Sequence, residues 1–433
     1  MFQLHKLLAA ALLVGAATAQ EPGLALKASK AIVTGADGMG VVHNAVILVK
    51  DGDIEAIGPA KEIEVPAGYE VHDFGRRWLM PGMIDLHNHI ASGNSLFIND
   101  LNDTVLLANP GLRASPGVNP QNLLLRRGLA GGVTTVLYIP GSGSNMGGAG
   151  VLLKIGQDTY ERMELRNPGS LKLAQAGNPE SFTVGVGRSF MNWNTRNTFK
   201  RGLAYGKRME EYRQGKGPKP ERNIQFDIFD DLFTKKTQVS THTQIYQVVL
   251  MTITMVRQEL GLDVYIDHGS FDGYKNAALA QETGVPAILG PRAIHRTMVF
   301  TRRGINLGMD TDGKIMGMAA AYQEGGHKMI GFNTDCIDDG SINLTPPQEE
   351  LSLQAGMAVR YGMDNSQLQG VRGLTIIPAI SAGLDERVGS LAVGKDADIL
   401  VVTGDPIDPR SSVDLVFVDG KLVYDAENGE RLW

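Results

Sequence analysis

The sequence predicts an α/β chain: a (β/α)8 TIM-like barrel with a small β-sandwich domain built from both chain ends. Three observations carry that expectation. Short apolar runs alternate with helical stretches through the middle of the chain, which is the grammar of parallel strands joined by helices. Strand-and-hairpin patterns occupy both ends. A chain of 433 residues, 43% apolar and 20% charged, suits one barrel plus a minor domain rather than a disordered polymer.

The first element is a targeting segment. Lys6 precedes the apolar run 7–14, and Ala17-Thr18-Ala19 supplies an A-x-A cleavage signature. Residues 1–19 are therefore expected to be a signal peptide, and the chain to be secreted or periplasmic once it is removed. The run is too short for a permanent membrane span, and no later stretch reaches about 18 apolar residues, so no membrane contact is expected of the mature form. The net charge of −6 becomes one unit more negative when Lys6 is lost. That balance argues against nucleic acid as a partner. Cys336 is the single cysteine, so no intramolecular disulfide exists, and a lone thiol in an oxidising compartment is expected to be buried.

Next come short strands. Residues 45–49 run into Lys50-Asp51-Gly52-Asp53, a hairpin signal, and 54–57 return. The far end repeats the pattern: strands at 398–402 and 415–418, then Asp419-Gly420 leading into 421–424. Residues 20–80 and 380–433 are therefore expected to form one composite β domain around a barrel at 81–379. The candidate parallel barrel strands are 83–89, 133–139, 151–155, 171–174, 239–242, 264–268, 286–289 and 328–335. Helical patterns lie between several of them, notably at 188–213, 244–260, 273–282 and 348–360.

Of nine histidines, four fall at the C-terminal ends of apolar runs: His87, His89, His242 and His268. In a barrel those ends converge on one face, where active sites of this architecture lie. His87 and His89 are two apart on a strand, so period-two alternation sends both side chains to the same side. Neutral imidazole is a good ligand for zinc and similar divalent ions. Asp335 ends the last proposed strand, where a carboxylate can bind a metal and also take a proton from water. His327 lies at the opposite end of its strand and is set aside.

The segment Pro81-Gly82-Met83-Ile84-Asp85-Leu86-His87-Asn88-His89 resembles the opening signature of the amidohydrolase superfamily. Val388-Gly389-Ser390-Leu391-Ala392-Val393-Gly394-Lys395-Asp396-Ala397-Asp398-Ile399 resembles its return to the β domain. Gly132-Val133-Thr134-Thr135-Val136 and Leu374-Thr375-Ile376-Ile377-Pro378-Ala379 match between them. The likeness covers essentially the whole mature chain and is nearest to exported imidazolonepropionase- or prolidase-like members. It implies metal ligands at His87, His89, His242, His268 and Asp335, with one or two divalent ions, zinc being the expected one.

Binuclear members of that superfamily bridge their ions with a carboxylated lysine or a glutamate on strand 4. Lys172 resembles that lysine, and Lys154 on the third strand is the competing candidate. Related sequences carry Gly-Glu-Asn after the lysine, where this chain has Ala176-Gly177-Asn178, so a glutamate bridge at position 177 is absent. The implied activity is hydrolysis of an amide or other C–N bond by metal-activated hydroxide, with Asp335 as proton shuttle. The substrate would be a small molecule or short peptide, such as a dipeptide or N-acyl amino acid. The alternatives are a mononuclear deaminase- or deacetylase-like hydrolase and a non-catalytic binding protein on the same scaffold. The multimeric habit of relatives leaves a homo-oligomer open. Arg292 and His295 stand as candidates for reaching a substrate carboxylate or carbonyl. The glycine-rich stretch 141–150 is expected to be a flexible wall of the site mouth rather than a phosphate loop.

Overall fold

The computed structural model describes residues 22–35, 40–92, 103, 105–175, 178–181, 186–291, 301–302, 305–306, 316–337, 345–429 and 431–432. The expected signal peptide lies outside the described residues. Among them no helix is long and apolar enough to cross a membrane.

Both chain ends build one sheet. Its strands are β1 (Leu24–Ile32), β2 (Val41–Lys50), β3 (Asp53–Pro59), β4 (Glu70–Asp73) and β5 (Trp78–Pro81) from the start of the chain. From the end of the chain come β16 (Ile399–Val402), β17 (Val413–Val418) and β18 (Lys421–Asp425). The order is β18-β17-β16-β5-β1-β2-β3, with β4 also pairing β1. Both expected hairpins form. Asp51 and Gly52 take φ 53° and 94°, and Asp419 and Gly420 take 49° and 71°, the left-handed pair that a tight two-residue turn demands. The expectation of a sandwich needs correcting: hydrogen bonding joins all eight strands into one sheet rather than two. The reason is that β1 is long enough to pair β4 along its first half and β5 along its second. Leu26, Ile47, Leu79, Ile399 and Phe417 form a core within that sheet.

The middle of the chain supplies β6 (Met83–Asn88), β7 (Val133–Tyr138), β8 (Met146–Lys154), β9 (Glu164–Ala174), β10 (Gln238–His242), β11 (Ile266–His268), β12 (Ala287–Leu289) and β15 (Ile330–Phe332). Two-residue strands β13 (Thr301–Arg302) and β14 (Ile305–Asn306) pair with each other before β15. Ladders run β10-β9-β8-β7-β6 and β11-β12-β15. Bridges Val239↔Val264 and Thr243↔His268 carry the pairing from β10 to β11, and Asn88↔Cys336 brings the chain after β15 beside β6. The result is a TIM-barrel-type arrangement with an extra β domain. A large core of strand and helix side chains, including Leu171, Phe199, Phe229, Leu289 and Phe332, packs outside the strands. The helices are chiefly Leu123–Ala130, Arg188–Arg213, Met318–Glu324 and Leu351–Arg360.

One barrel strand departs from the expected all-parallel set. β8 runs antiparallel to both β7 and β9. The seven residues 139–145 join β7 to β8, whereas a crossover to a parallel strand takes a dozen or more. The glycine-rich stretch therefore does not end in a mobile wall. From Met146 onward it is a fully buried strand, and its glycines answer close packing. A Cβ on Gly148 would stand 2.7 Å from the Leu112 carbonyl oxygen, and one on Gly150 2.7 Å from that of Tyr138.

The reversal sends Lys154 to the end of the barrel away from the histidines. Its Nζ lies 2.5 Å from Asp396 Oδ2, 2.5 Å from Asp419 Oδ1 and 3.3 Å from Asp398 Oδ1. All three carboxylates belong to the C-terminal part of the chain, so one buried lysine pins the barrel to the β sheet. This also disposes of Lys154 as a metal bridge. Burial pushes the Asp398 carboxyl up to about 6 against the pull of Lys154. Burial likewise opposes the charge of Lys154, but Asp398, Asp419 and Asp396 together hold its pKa above the ordinary lysine value. Removing one partner of such a cluster leaves buried charge uncompensated, which costs roughly 3–5 kcal/mol. Lys154→Met should therefore lower the thermal midpoint by several degrees while leaving metal content unchanged. An unaltered melting curve by calorimetry would refute the role given to Lys154.

Candidate metal centre

Strand ends position every expected ligand. His87 ends the run of β6 and His89 follows it by two, and their Nε2 atoms stand 3.0 Å apart. Asp335, three residues beyond β15, brings Oδ1 to 3.1 Å from His87 Nε2 and 3.3 Å from His89 Nε2. Lys172 Nζ, from β9, lies 3.3 Å from His87 Nε2. On β10 and β11, His242 Nδ1 and His268 Nε2 are 3.0 Å apart. One ligand atom from each of His87, His268 and Asp335 falls within 4.8 Å of the others. Two of these residues take a left-handed backbone that non-glycine residues seldom adopt: His268 at φ 68° and Asp335 at φ 48°. Both break the strand alternation just where a side chain must turn inward.

The imidazole tautomers follow from their outer partners, since a carbonyl or carboxylate oxygen can only accept. His89 Nδ1 donates to the Ile139 carbonyl at 3.0 Å, and His268 Nδ1 to the Gly290 carbonyl at 2.9 Å. His87 Nδ1 donates to Asp267 Oδ2 at 2.6 Å. Each ring therefore turns Nε2 into the cluster, as metal-binding histidines with an anchored outer nitrogen do. His87 Nε2, His89 Nε2 and Asp335 Oδ1 are then acceptors crowded within 3.0 to 3.3 Å of one another. A single proton answers only part of that need. Imidazole nitrogen and carboxylate oxygen around one point are the donor set of zinc and similar ions, so the residues present fit a divalent cation.

The electrostatics agree. Burial works against charge on His87, but Asp267 and Asp335 outweigh it and raise its pKa to about 9. Positive charge is thus favoured where the acceptors meet. Burial pushes His268 down to about 4, helped by His87, and holds His242 well below the ordinary imidazole range, helped by His268. Burial also opposes charge on Asp335, yet His87 and His89 keep its carboxyl well below the usual carboxylate range.

Sequence reasoning passed over three residues that support the site. Asp267, fully buried, accepts from His87 and also from Asn333 Nδ2 at 2.8 Å. A charged residue inside the apolar run Val264-Tyr265-Ile266 was the available signal. Asp85 accepts from the Thr334 hydroxyl at 2.5 Å and so ties the approach of His87 to that of Asp335. Burial pushes its carboxyl up to about 6, with Thr334 pulling the other way. Ser142, in the β7–β8 connection, puts Oγ 3.0 Å from His242 Nδ1. Cys336 is buried as expected. Arg292, His295, Ala176 and Gly177 lie outside the described residues.

A model described as the amidohydrolase family matches residues 265–423. An amidohydrolase from Thermotoga maritima MSB8, known as a crystal structure, superposes with a TM-score of 0.78 at 28% identity, over 93% of this chain and 100% of that one. The chain is thus similar to amidohydrolases over nearly its whole length. Among other relatives, the amidohydrolase tasK of Hapsidospora irregularis is 23% identical over 88% of this chain, which spans only 40% of that longer protein. The imidazolonepropionase of Sphingopyxis alaskensis is 22% identical, over 86% of this chain and 89% of its own length. Behind the cluster stands Asp267, whose carboxylate fixes the tautomer and aim of His87. Loss of such outer partners typically costs 10–100-fold in metal affinity. Asp267→Asn should weaken zinc binding by about that factor, measured by competition with a chromophoric chelator. Undiminished affinity would show that Asp267 serves folding alone.

Proposed function

We propose that the protein is an exported, metal-dependent amidohydrolase that hydrolyses an amide or related C–N bond in a small molecule or short peptide, of the dipeptide or N-acyl amino acid kind. The single observation that carries this reading is the set of inward-facing Nε2 atoms of His87, His89 and His268 beside the Asp335 carboxylate, each ring anchored from behind. His87, His89, His242, His268 and Asp335 would hold one or two ions, and Lys172 would bridge two of them once carboxylated. Carboxylation joins CO2 to the lysine nitrogen with loss of two protons from the ammonium form, turning a buried cation into an anion that metal ions stabilise. A divalent ion, expected to be zinc, supplies Lewis acidity toward the scissile carbonyl and lowers the pKa of the attacking water.

The chain's own groups do the remainder. The Asp335 side chain is 20% exposed where that of His87 is fully buried, so it is the member of the cluster that meets solvent and substrate. Ionised and 3.1 Å from His87 Nε2, it is placed to take the proton of the attacking water and deliver it to the departing nitrogen. Asp85 and Thr334 keep that carboxylate in register with the β6 histidines. A second reading, a mononuclear deaminase- or deacetylase-like hydrolase, is favoured by the compact His87–His268–Asp335 group, whose ligand atoms would suffice for one ion without His242.

Export rests on the order of Lys6, the apolar run 7–14 and Ala17-Thr18-Ala19. N-terminal sequencing of protein recovered outside the cytoplasm should begin at Gln20, and a start at Met1 would overturn export. For the chemistry, metal-loaded and chelator-stripped protein should be compared against a library of dipeptides and N-acyl amino acids. Activity should require the metal, and Asp335→Asn should lower turnover by at least about 10²-fold, the usual worth of a general acid–base group. Full activity in stringently metal-free protein would end this reading.

A further inference from the structure

We propose that Ser142 controls how many ions the centre takes, by competing through its hydroxyl for the His242 nitrogen that a second ion requires. The inference rests on the metal-hydrolase reading above and adds a determinant to it. His268 donates its Nδ1 proton to the Gly290 carbonyl at 2.9 Å, so its Nε2 carries a lone pair. That lone pair faces His242 Nδ1 at 3.0 Å, and the same Nδ1 lies 3.0 Å from Ser142 Oγ. An imidazole nitrogen has one in-plane lone pair. With the lone pair on His242 Nδ1, either the Ser142 O–H or an ion shared with His268 can take it, but not both. With the proton there instead, His242 donates to His268 Nε2 or to Ser142, and no ion binds at Nδ1. In either tautomer the ion must displace a hydrogen bond that involves the serine or its neighbour.

The first ion finds its ligands elsewhere. His87 Nε2, His89 Nε2 and Asp335 Oδ1 lie within 3.0 to 3.3 Å of one another, with Lys172 Nζ 3.3 Å from His87 Nε2, and this leaves His268 Nε2 for the ion shared with His242. Ser142 is also held in place. It is buried, and three residues later Asn145 is tied on several sides. Asn145 Nδ2 donates to the Ala174 carbonyl at 2.7 Å and to Thr195 Oγ1 at 3.1 Å, while its Oδ1 accepts from Asn194 at 2.8 Å. The short β7–β8 connection thus anchors the serine between β9 and the helix Arg188–Arg213. Those bonds fix the backbone that presents the Ser142 hydroxyl to His242.

The test is a calorimetric titration of zinc into the metal-stripped full chain. Wild type should take one ion tightly and a second distinctly more weakly. In Ser142→Ala the second step should tighten about tenfold, the usual worth of one hydrogen bond, with the first step unchanged. Ser142→Thr, which keeps the hydroxyl, should titrate like wild type. Equal second-step affinity in Ser142→Ala and wild type overturns the proposal, as do two equally tight steps in wild type. Absence of zinc binding in all three proteins sinks the metal reading, and this inference with it.

Discussion

Three acceptor atoms that repel one another are held together at the heart of this protein, and much of its architecture is the means of holding them. His87 Nε2, His89 Nε2 and Asp335 Oδ1 sit within 3.0 to 3.3 Å of each other in a buried space. Left alone, side chains would rotate apart. They are prevented by partners on the far side: the Asp267 carboxylate, the Ile139 carbonyl and the backbone of β6 and the segment after β15. Those partners come from strands distant in sequence, which the barrel-type arrangement brings together. The electrostatic result is local: Asp267 and Asp335 favour positive charge on His87 against its burial, while burial keeps His242 and His268 neutral beside it.

The reversed strand β8 connects this site to the rest of the molecule. At its start, Gly148 pairs with Lys172, and the loop before it carries Ser142 to His242. At its other end, Lys154 enters the cluster of Asp396, Asp398 and Asp419. One fully buried strand therefore spans from the face that carries the histidines to the junction with the β sheet. The two hairpin turns meet at that junction: the Gly52 carbonyl accepts from Ala397 N, and the Ala397 carbonyl from Gly420 N. The chain ends are not an appendage. They supply the carboxylates that neutralise a lysine the barrel buries.

Which of these features were readable in the sequence follows from how local their causes are. The H-x-H pair was legible because period-two alternation is a property of the strand itself. His242 and His268 were legible because each closes an apolar run. Asp267 was missed because its meaning depends on His87, 180 residues earlier. Lys154 and Lys172 look alike in sequence, each inside an apolar run, and only partners separate them: aspartates more than 240 residues away for one, a histidine for the other. The direction of β8 was in principle legible, because residues 139–145 are too few for a crossover. Apolar pattern alone gives no direction, and loop length had to be weighed against it. The single β sheet was likewise hidden, since the length of β1 determines how many neighbours it can pair.

The left-handed residues add a thermodynamic argument. His268 and Asp335 both hold φ values that cost about 1–3 kcal/mol each, and both sit where a strand ends at the cluster. Strained backbone at the cluster costs the fold some stability, which positive charge on His87 and Lys172 beside Asp335 offsets in part. A divalent ion bound to the folded chain but not to the unfolded one would add stability by an amount that grows with the logarithm of free metal. The Lys154 cluster lies at the far end of the same strand, outside reach of the ion, and contributes whether or not metal is bound. Fold stability and site competence are thereby partly separated: the junction keeps β8 in place, and β8 keeps Ser142 and the Lys172 backbone in register for whatever number of ions the histidines accept.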